Sequence, residues 1–226
     1  MEIIPVINCD DFNCVKEKLA VLDGILPPDN RRIHIDVSDG QYAVKPEWNN
    51  PEEIGKFLKE NNMKFDIGVH FMVKMPCDGI KRWASLISKA TVPLDCDECT
   101  EHIAATCQVE NIAFSVSIPP DNDVREAARY AGSFKEFQIL AVPPGPSGQR
   151  MSEGTIQKIK ELREMVPSAI IEVDGGVNPE TIPELARAGA DTALSGSYIF
   201  NSADPKSAYL ELKEAINGTG NNRSEA

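Results

Sequence analysis

The 226-residue chain carries 23 Lys and Arg against 35 Asp and Glu, a formal charge of −12, with 42% hydrophobic and 26% charged residues. That composition and length suit a folded protein with a full core. The acidity argues against broad neutralisation of nucleic-acid phosphates, which needs a basic face, but leaves room for a small anion held by backbone N–H groups.

Short β-rich runs alternate with helical patterns along the chain. Strands are expected at 2–8, 32–37, 66–73, 91–96, 112–118, 136–142, 169–174 and 192–196. Between them, Val15, Leu19 and Leu22 recur at helical spacing, as do Ile54, Phe57 and Leu58. Ile156, Ile159, Leu162 and Val166 form a third apolar stripe, and Ala208, Leu212, Ala215 and Ile216 a last one. Asp10-Asp11, Asn50-Pro51-Glu52-Glu53, Asn178-Pro179-Glu180 and Asp204-Pro205 read as helix starts, and Gly189 as a helix C-cap. Eight strand–helix units with no break in composition predict an α/β protein built as a single (β/α)8 barrel over 1–216, with a disordered Gly/Asn-rich tail at 217–226. A doubly wound open sheet is the structural alternative. The apolar runs are far shorter than the roughly 20 residues of a membrane-spanning helix. The start, Met1-Glu2-Ile3-Ile4-Pro5, has no basic region followed by an apolar one. Six sparse cysteines are therefore expected as reduced thiols in a cytoplasmic protein with no membrane partner.

Barrels of this kind carry their chemistry at the C-terminal ends of the strands. His34 and Asp36 lie two apart on the second strand and share a face, while Ile33, Ile35 and Val37 point to the helices. His70 sits on the third strand between apolar neighbours, and Asp174 closes the seventh just before Gly175-Gly176. A lone inward His is more often a hydrogen-bonded core residue than a ligand. The chain, however, has three His, and two fall at adjacent strand ends beside an inward Asp. His34, Asp36, His70 and Asp174 together make an N2O2 set suited to one divalent metal ion such as Zn, Fe, Mn or Co. Glycines at 143–149 (PPGPSGQ), at 175–176 and in Ser195-Gly196-Ser197 lie where backbone N–H groups can approach an anion closely.

These residues resemble the ribulose-phosphate 3-epimerase family. The resemblance rests on IHIDVSDG (33–40), VHFMV (69–73), PPGPSGQ (143–149), VDGGVNPETI (173–182) and AGADTALSGSYIF (188–200), in the family's order. It implies a (β/α)8 barrel that interconverts ketopentose phosphates with one divalent metal. By the same resemblance His34, Asp36, His70 and Asp174 are metal ligands, and Asp36 and Asp174 are the acid/base pair. Gly145, Ser147 and Gly148 fall in the substrate loop, Gly175, Gly176, Gly196 and Ser197 in the phosphate cradle, and His70 and Met72 beside the substrate. The partner so implied is a small phosphorylated ketose, not a nucleic acid or a membrane; a homo-oligomer stays open.

The chain departs from the family's pattern in the substrate envelope. Val6 replaces a Ser, Ser38 and Leu140 replace Met, Pro143 stands in place of a Glu, and Leu94-Asp95-Cys96-Asp97 replaces His-x-Glu. The proton-transfer groups are spared, so a 3-epimerase for another ketose phosphate, such as a hexulose 6-phosphate, is an alternative. A non-catalytic sugar-phosphate-binding barrel is another, although binding alone needs no matched pair of carboxylates. An aldolase or decarboxylase would want a strand-end Lys, and Lys45 and Lys74 lie in loops. Finally, Cys96, Cys99, His102 and Cys107 carry the ligand types of a small zinc site, in a spacing that matches no standard knuckle and reads as well as a loop and a helix with one buried thiol.

Overall fold

The computed structural model describes residues 1–145 and 148–217, so Ser147 and the tail expected beyond 217 lie outside the described residues. The elements in chain order are β1 (Glu2–Ile7), α1 (Phe12–Ile25), β2 (Arg32–Asp39), β3 (Pro46–Glu47), α2 (Pro51–Glu60), β4 (Asp66–Met72), α3 (Pro76–Trp83), β5 (Lys89–Pro93), α4 (Thr100–Val109) and β6 (Ala113–Ile118). They continue with α5 (Val124–Ala128), β7 (Glu136–Leu140), α6 (Thr155–Met165), β8 (Ile170–Asp174), α7 (Ile182–Ala188), β9 (Thr192–Ser195), α8 (Ser197–Phe200) and α9 (Pro205–Asn217). The strand order β1-β9-β8-β7-β6-β5-β4-β2-β3, with the added pairing β1–β2, is that of the expected (β/α)8 barrel. The chain packs as two compact units, one of residues 5–117 with 144–145, the other of residues 1–4, 118–143 and 148–217.

In the first unit, β1, β2, β4, β5 and β6 run parallel, with Val6 opposite His34, Asp36 opposite His70, His70 opposite Thr91 and Thr91 opposite Ser115. On β2 the alternation falls as expected. Ile33, Ile35 and Val37 are buried on one face, and His34, Asp36 and Ser38 are buried on the other. Each fully buried Ile or Val contributes about 1.5–3 kcal/mol, which fixes the register and with it the direction of the polar face. Helix α2 begins as its sequence predicts: Asn50 Oδ1 accepts from Glu53 N–H, Pro51 opens the first turn, and Ile54 and Leu58 are buried one turn apart. Phe12 stacks on Trp48, and Trp48 meets Trp83 edge to face.

The second unit carries β7, β8 and β9, parallel and in register, with Gln138 opposite Glu172 and Leu140 opposite Asp174. Along α6 Thr155, Ile159 and Leu162 are buried, as is Val166 just past its end, while Ile156 is half-buried. Gly189 ends α7 at φ 107°, the left-handed cap expected of it.

Several expectations shift. The fourth expected strand, 91–96, forms instead over Lys89–Pro93, because Lys89 is buried and Leu94-Asp95-Cys96 turns away after Pro93. The start expected at Asn178 is an Asx turn, with Asn178 Oδ1 accepting from the N–H groups of Glu180 and Thr181, and α7 begins at Ile182. The thiol expectation is corrected at Cys9 and Cys14, which form a disulfide with Cα atoms 5.8 Å apart. Asp11 caps α1 by accepting from Cys14 N–H, and this fold-back brings the end of β1 against the first turn of the helix. Cys77, Cys96, Cys99 and Cys107 are free thiols. Among the described residues, no helix is long and apolar enough to cross a membrane.

Candidate functional site

The first unit gathers His34, Asp36 and His70 into one buried cluster. Parallel pairing sets Asp36 beside His70, and the two-residue period of β2 sets His34 on the same face. His34 Nε2 and His70 Nδ1 each stand 3.5 Å from Asp36 Oδ1. Their ring centroids are 6.1 Å apart. One ligand atom from each residue lies within 4.8 Å of the other two. Asp36 Oδ1 is buried and has no hydrogen-bond partner, although two ring nitrogens face it. A buried carboxylate oxygen left this way is costly unless a cation shares the space, so these three side chains fit a divalent metal.

Around the cluster, Met72 is buried two residues beyond His70 on the same face of β4. Asn8 Nδ2 donates to Glu47 Oε1 at 2.6 Å and approaches Asp36 Oδ2 at 3.5 Å. Lys18 Nζ donates to the Asn8 carbonyl at 2.7 Å, and burial lowers its pKa against the pull of Asp36, Glu47 and Asp10. Ser117 Oγ lies 2.9 Å from His70 Nε2, with both side chains out of contact with solvent. Asn8, Glu47 and Ser117 were not singled out in the sequence. A lone Ser in an apolar strand reads as filler, and Glu47 reaches the site through β3, a two-residue strand too short to show a period.

In the second unit, Asp174 ends β8, half-buried, and its Oδ2 accepts from Gln138 Nε2 at 3.0 Å. Gly175 and Gly176 follow at φ 102° and 66°. A Cβ on Gly175 would meet Val142 Cγ2 at 2.5 Å, and one on Gly176 would meet Met151 N at 2.6 Å, so both glycines are required by packing whatever else they do. Gly148, Gly176 and Ser197 line a cavity of about 960 Å³ together with Arg150, Asn178 and Tyr198. Gly196 precedes α8, and its carbonyl accepts from the N–H groups of Ile199 and Phe200. Gly145 belongs to the first unit. Among the described lining residues Arg150 is the cation; no motif pointed to it.

The cysteine-rich stretch does not gather as a metal site. Among the described residues, His34, Asp36 and His70 form the metal-type group, and Cys96, Cys99, His102 and Cys107 form none. Cys99 donates to Glu101, and Cys107 is buried on α4, where desolvation pushes its thiol up to about 12. Lys89, buried, stands at the first residue of β5, the end of a strand where such barrels do not place their chemistry.

Residues 2–200 match the family model described as the ribulose-phosphate 3 epimerase family. A protein of Encephalitozoon cuniculi named ribulose-phosphate 3-epimerase is 30% identical over 214 residues, covering 93% of this chain and 92% of that one. The cytoplasmic isoform of ribulose-phosphate 3-epimerase from Oryza sativa subsp. japonica is 26% identical over 194 residues, 84% of each chain. Among solved structures, a 3-hexulose-6-phosphate synthase aligns with a TM-score of 0.67 at 19% identity, over 96% of this chain and 100% of that one. KGPDC from Streptococcus mutans in complex with D-R5P aligns with a TM-score of 0.70 at 13% identity, over 96% and 98%. At such identities these two structures speak for the fold alone.

Proposed function

This chain belongs to the ribulose-phosphate 3-epimerase family, isomerases acting on carbohydrate phosphates, and we propose that it interconverts D-ribulose 5-phosphate and D-xylulose 5-phosphate with one divalent metal ion. The observation that carries this reading is the buried His34–Asp36–His70 cluster in a chain of that family. His34, Asp36 and His70 are the ligands, with Asp174 as the fourth. The bound metal supplies positive charge that stabilises the negative charge developing on the substrate's oxygens.

Epimerisation next to a ketone removes a weakly acidic proton from one face of a carbon and returns one to the other, through an enediolate. Asp36 and Asp174 are the two carboxylates for this exchange, one taking the proton while the other delivers one. Asp36 is buried, which keeps water away from its carboxylate, and Gln138 orients Asp174. His70 and Met72 line the reacting carbons. Gly145 and Gly148 cover the substrate, and Gly175, Gly176, Gly196 and Ser197 hold the phosphate, with Arg150 adding charge from the cavity wall. The protein acts in the cytoplasm in pentose phosphate metabolism; the rice relative's name supports the location.

The Asn8–Glu47 pair beside Asp36, with Ser38 buried on the same face, favours a second reading for the substrate. These polar groups would accept the hydroxyls of a longer ketose phosphate such as a hexulose 6-phosphate. Assay of both ketoses, with and without a chelator, tests the proposal. Chelator-sensitive formation of xylulose 5-phosphate supports the first reading, turnover of the hexulose alone supports the second, and turnover of neither contradicts both.

A further inference from the structure

We propose that Ser117 is a positioning residue that sets the tautomer of His70, so that the proton rests on Nε2 and the Nδ1 lone pair faces Asp36. The inference rests on the metal site proposed above.

The strand register puts Ser117 there. His70 on β4 pairs with Thr91 on β5, and Thr91 pairs with Ser115 on β6. Ser117 lies two residues beyond Ser115 on the same face, and its Oγ reaches across β5 to within 2.9 Å of His70 Nε2. Neither side chain has measurable exposure, so water does not compete for this contact. The opposite ring nitrogen, Nδ1, is the one 3.5 Å from Asp36 Oδ1.

A neutral imidazole has one N–H and one lone pair, and the hydrogen bond made by one nitrogen decides the state of the other. If Nδ1 carried the proton, the N–H would point into the cluster and that nitrogen could not ligate a metal. With Nε2–H donating to Ser117 Oγ, the lone pair is presented toward His34 and Asp36 before any metal arrives. Outer partners of this kind typically change metal affinity by about 10–100-fold when removed. A hydroxyl that merely fills the strand would not affect the tautomer.

The first test is nitrogen-15 NMR of the wild-type protein freed of metal, reading the two ring nitrogens of His70. A proton on Nε2 is expected, and a proton on Nδ1 overturns the inference; this measurement stands even if a variant does not fold. The second test is Zn2+ affinity by competition with a chelator. Ser117→Ala should weaken binding by about 10–100-fold, whereas Ser117→Thr, which keeps the hydroxyl, should restore it. Equal affinities for the wild type and Ser117→Ala overturn the inference. His70→Ala separates this from the site itself: unchanged Zn2+ binding there removes His70 from the ligand set, whereas weakened binding there with no effect of Ser117→Ala refutes the role of Ser117 alone.

Discussion

Gln138 Nε2 donates to Asp174 Oδ2 across 3.0 Å, from the middle of β7 to the last residue of β8. The bond fixes the direction of a carboxylate that ends its strand half-exposed. Asp174→Asn keeps the shape and the partner but removes the base. A loss of kcat of at least about 100-fold is expected, the usual contribution of a positioned acid or base, with thermal unfolding little changed. Near-full activity in that variant would remove Asp174 from proton transfer.

Metal content follows from the first unit's cluster. The wild type should hold one divalent ion per chain by elemental analysis after dialysis. His34→Ala and His70→Ala should each lower that occupancy, since each removes one of three buried donors. A full complement of metal in either variant would strike that His from the set.

The cavity of the second unit should act on binding more than on chemistry. Ser197→Ala is expected to raise KM by about fivefold with little change in kcat, the size of one lost hydrogen bond. Arg150→Met should raise it by about 10-fold or more, because a charged donor is lost. Effects confined to kcat would place these residues elsewhere in the reaction.

Gly176→Ala tests packing rather than binding. Its φ of 66° disfavours a side chain, and the new Cβ would fall 2.6 Å from Met151 N. A loss of about 1–3 kcal/mol is expected in denaturant unfolding. An unchanged midpoint would show that the backbone there gives way freely.

The disulfide closes a short loop, with Cys9 and Cys14 five residues apart. Cys14→Ser should cost about 2 kcal/mol by loop entropy. Dithiothreitol should destabilise the wild type and leave the variant unchanged. Identical unfolding of the wild type with and without the reductant would contradict this.

Much of this architecture was legible in the sequence, where a strong period met a clear boundary. The Ile33–Val37 alternation set His34 and Asp36 inward, and Asn50-Pro51 and Gly189 marked helix ends by local chemistry. What escaped depended on neighbours far along the chain. Lys89 looks like a surface residue, and its burial moved a strand boundary by two positions. Ser117 meets His70 from 47 residues away, and nothing local to either announces the other. The Cys9–Cys14 pair is legible only once Asp11 is seen to cap the helix and fold the chain back. The Cys96–Cys107 spacing carried ligand types without a geometry to unite them.

The central claim is a proton exchange at one carbon of a ketose phosphate, carried out by Asp36 and Asp174. The most direct test is to incubate the metal-loaded protein with D-ribulose 5-phosphate in deuterium oxide and follow C3 by NMR, with and without a chelator. Deuterium entering at C3 as xylulose 5-phosphate appears, lost on chelation and lost in Asp36→Asn, is the predicted result. Absence of exchange at C3 in the metal-loaded wild type would contradict the account.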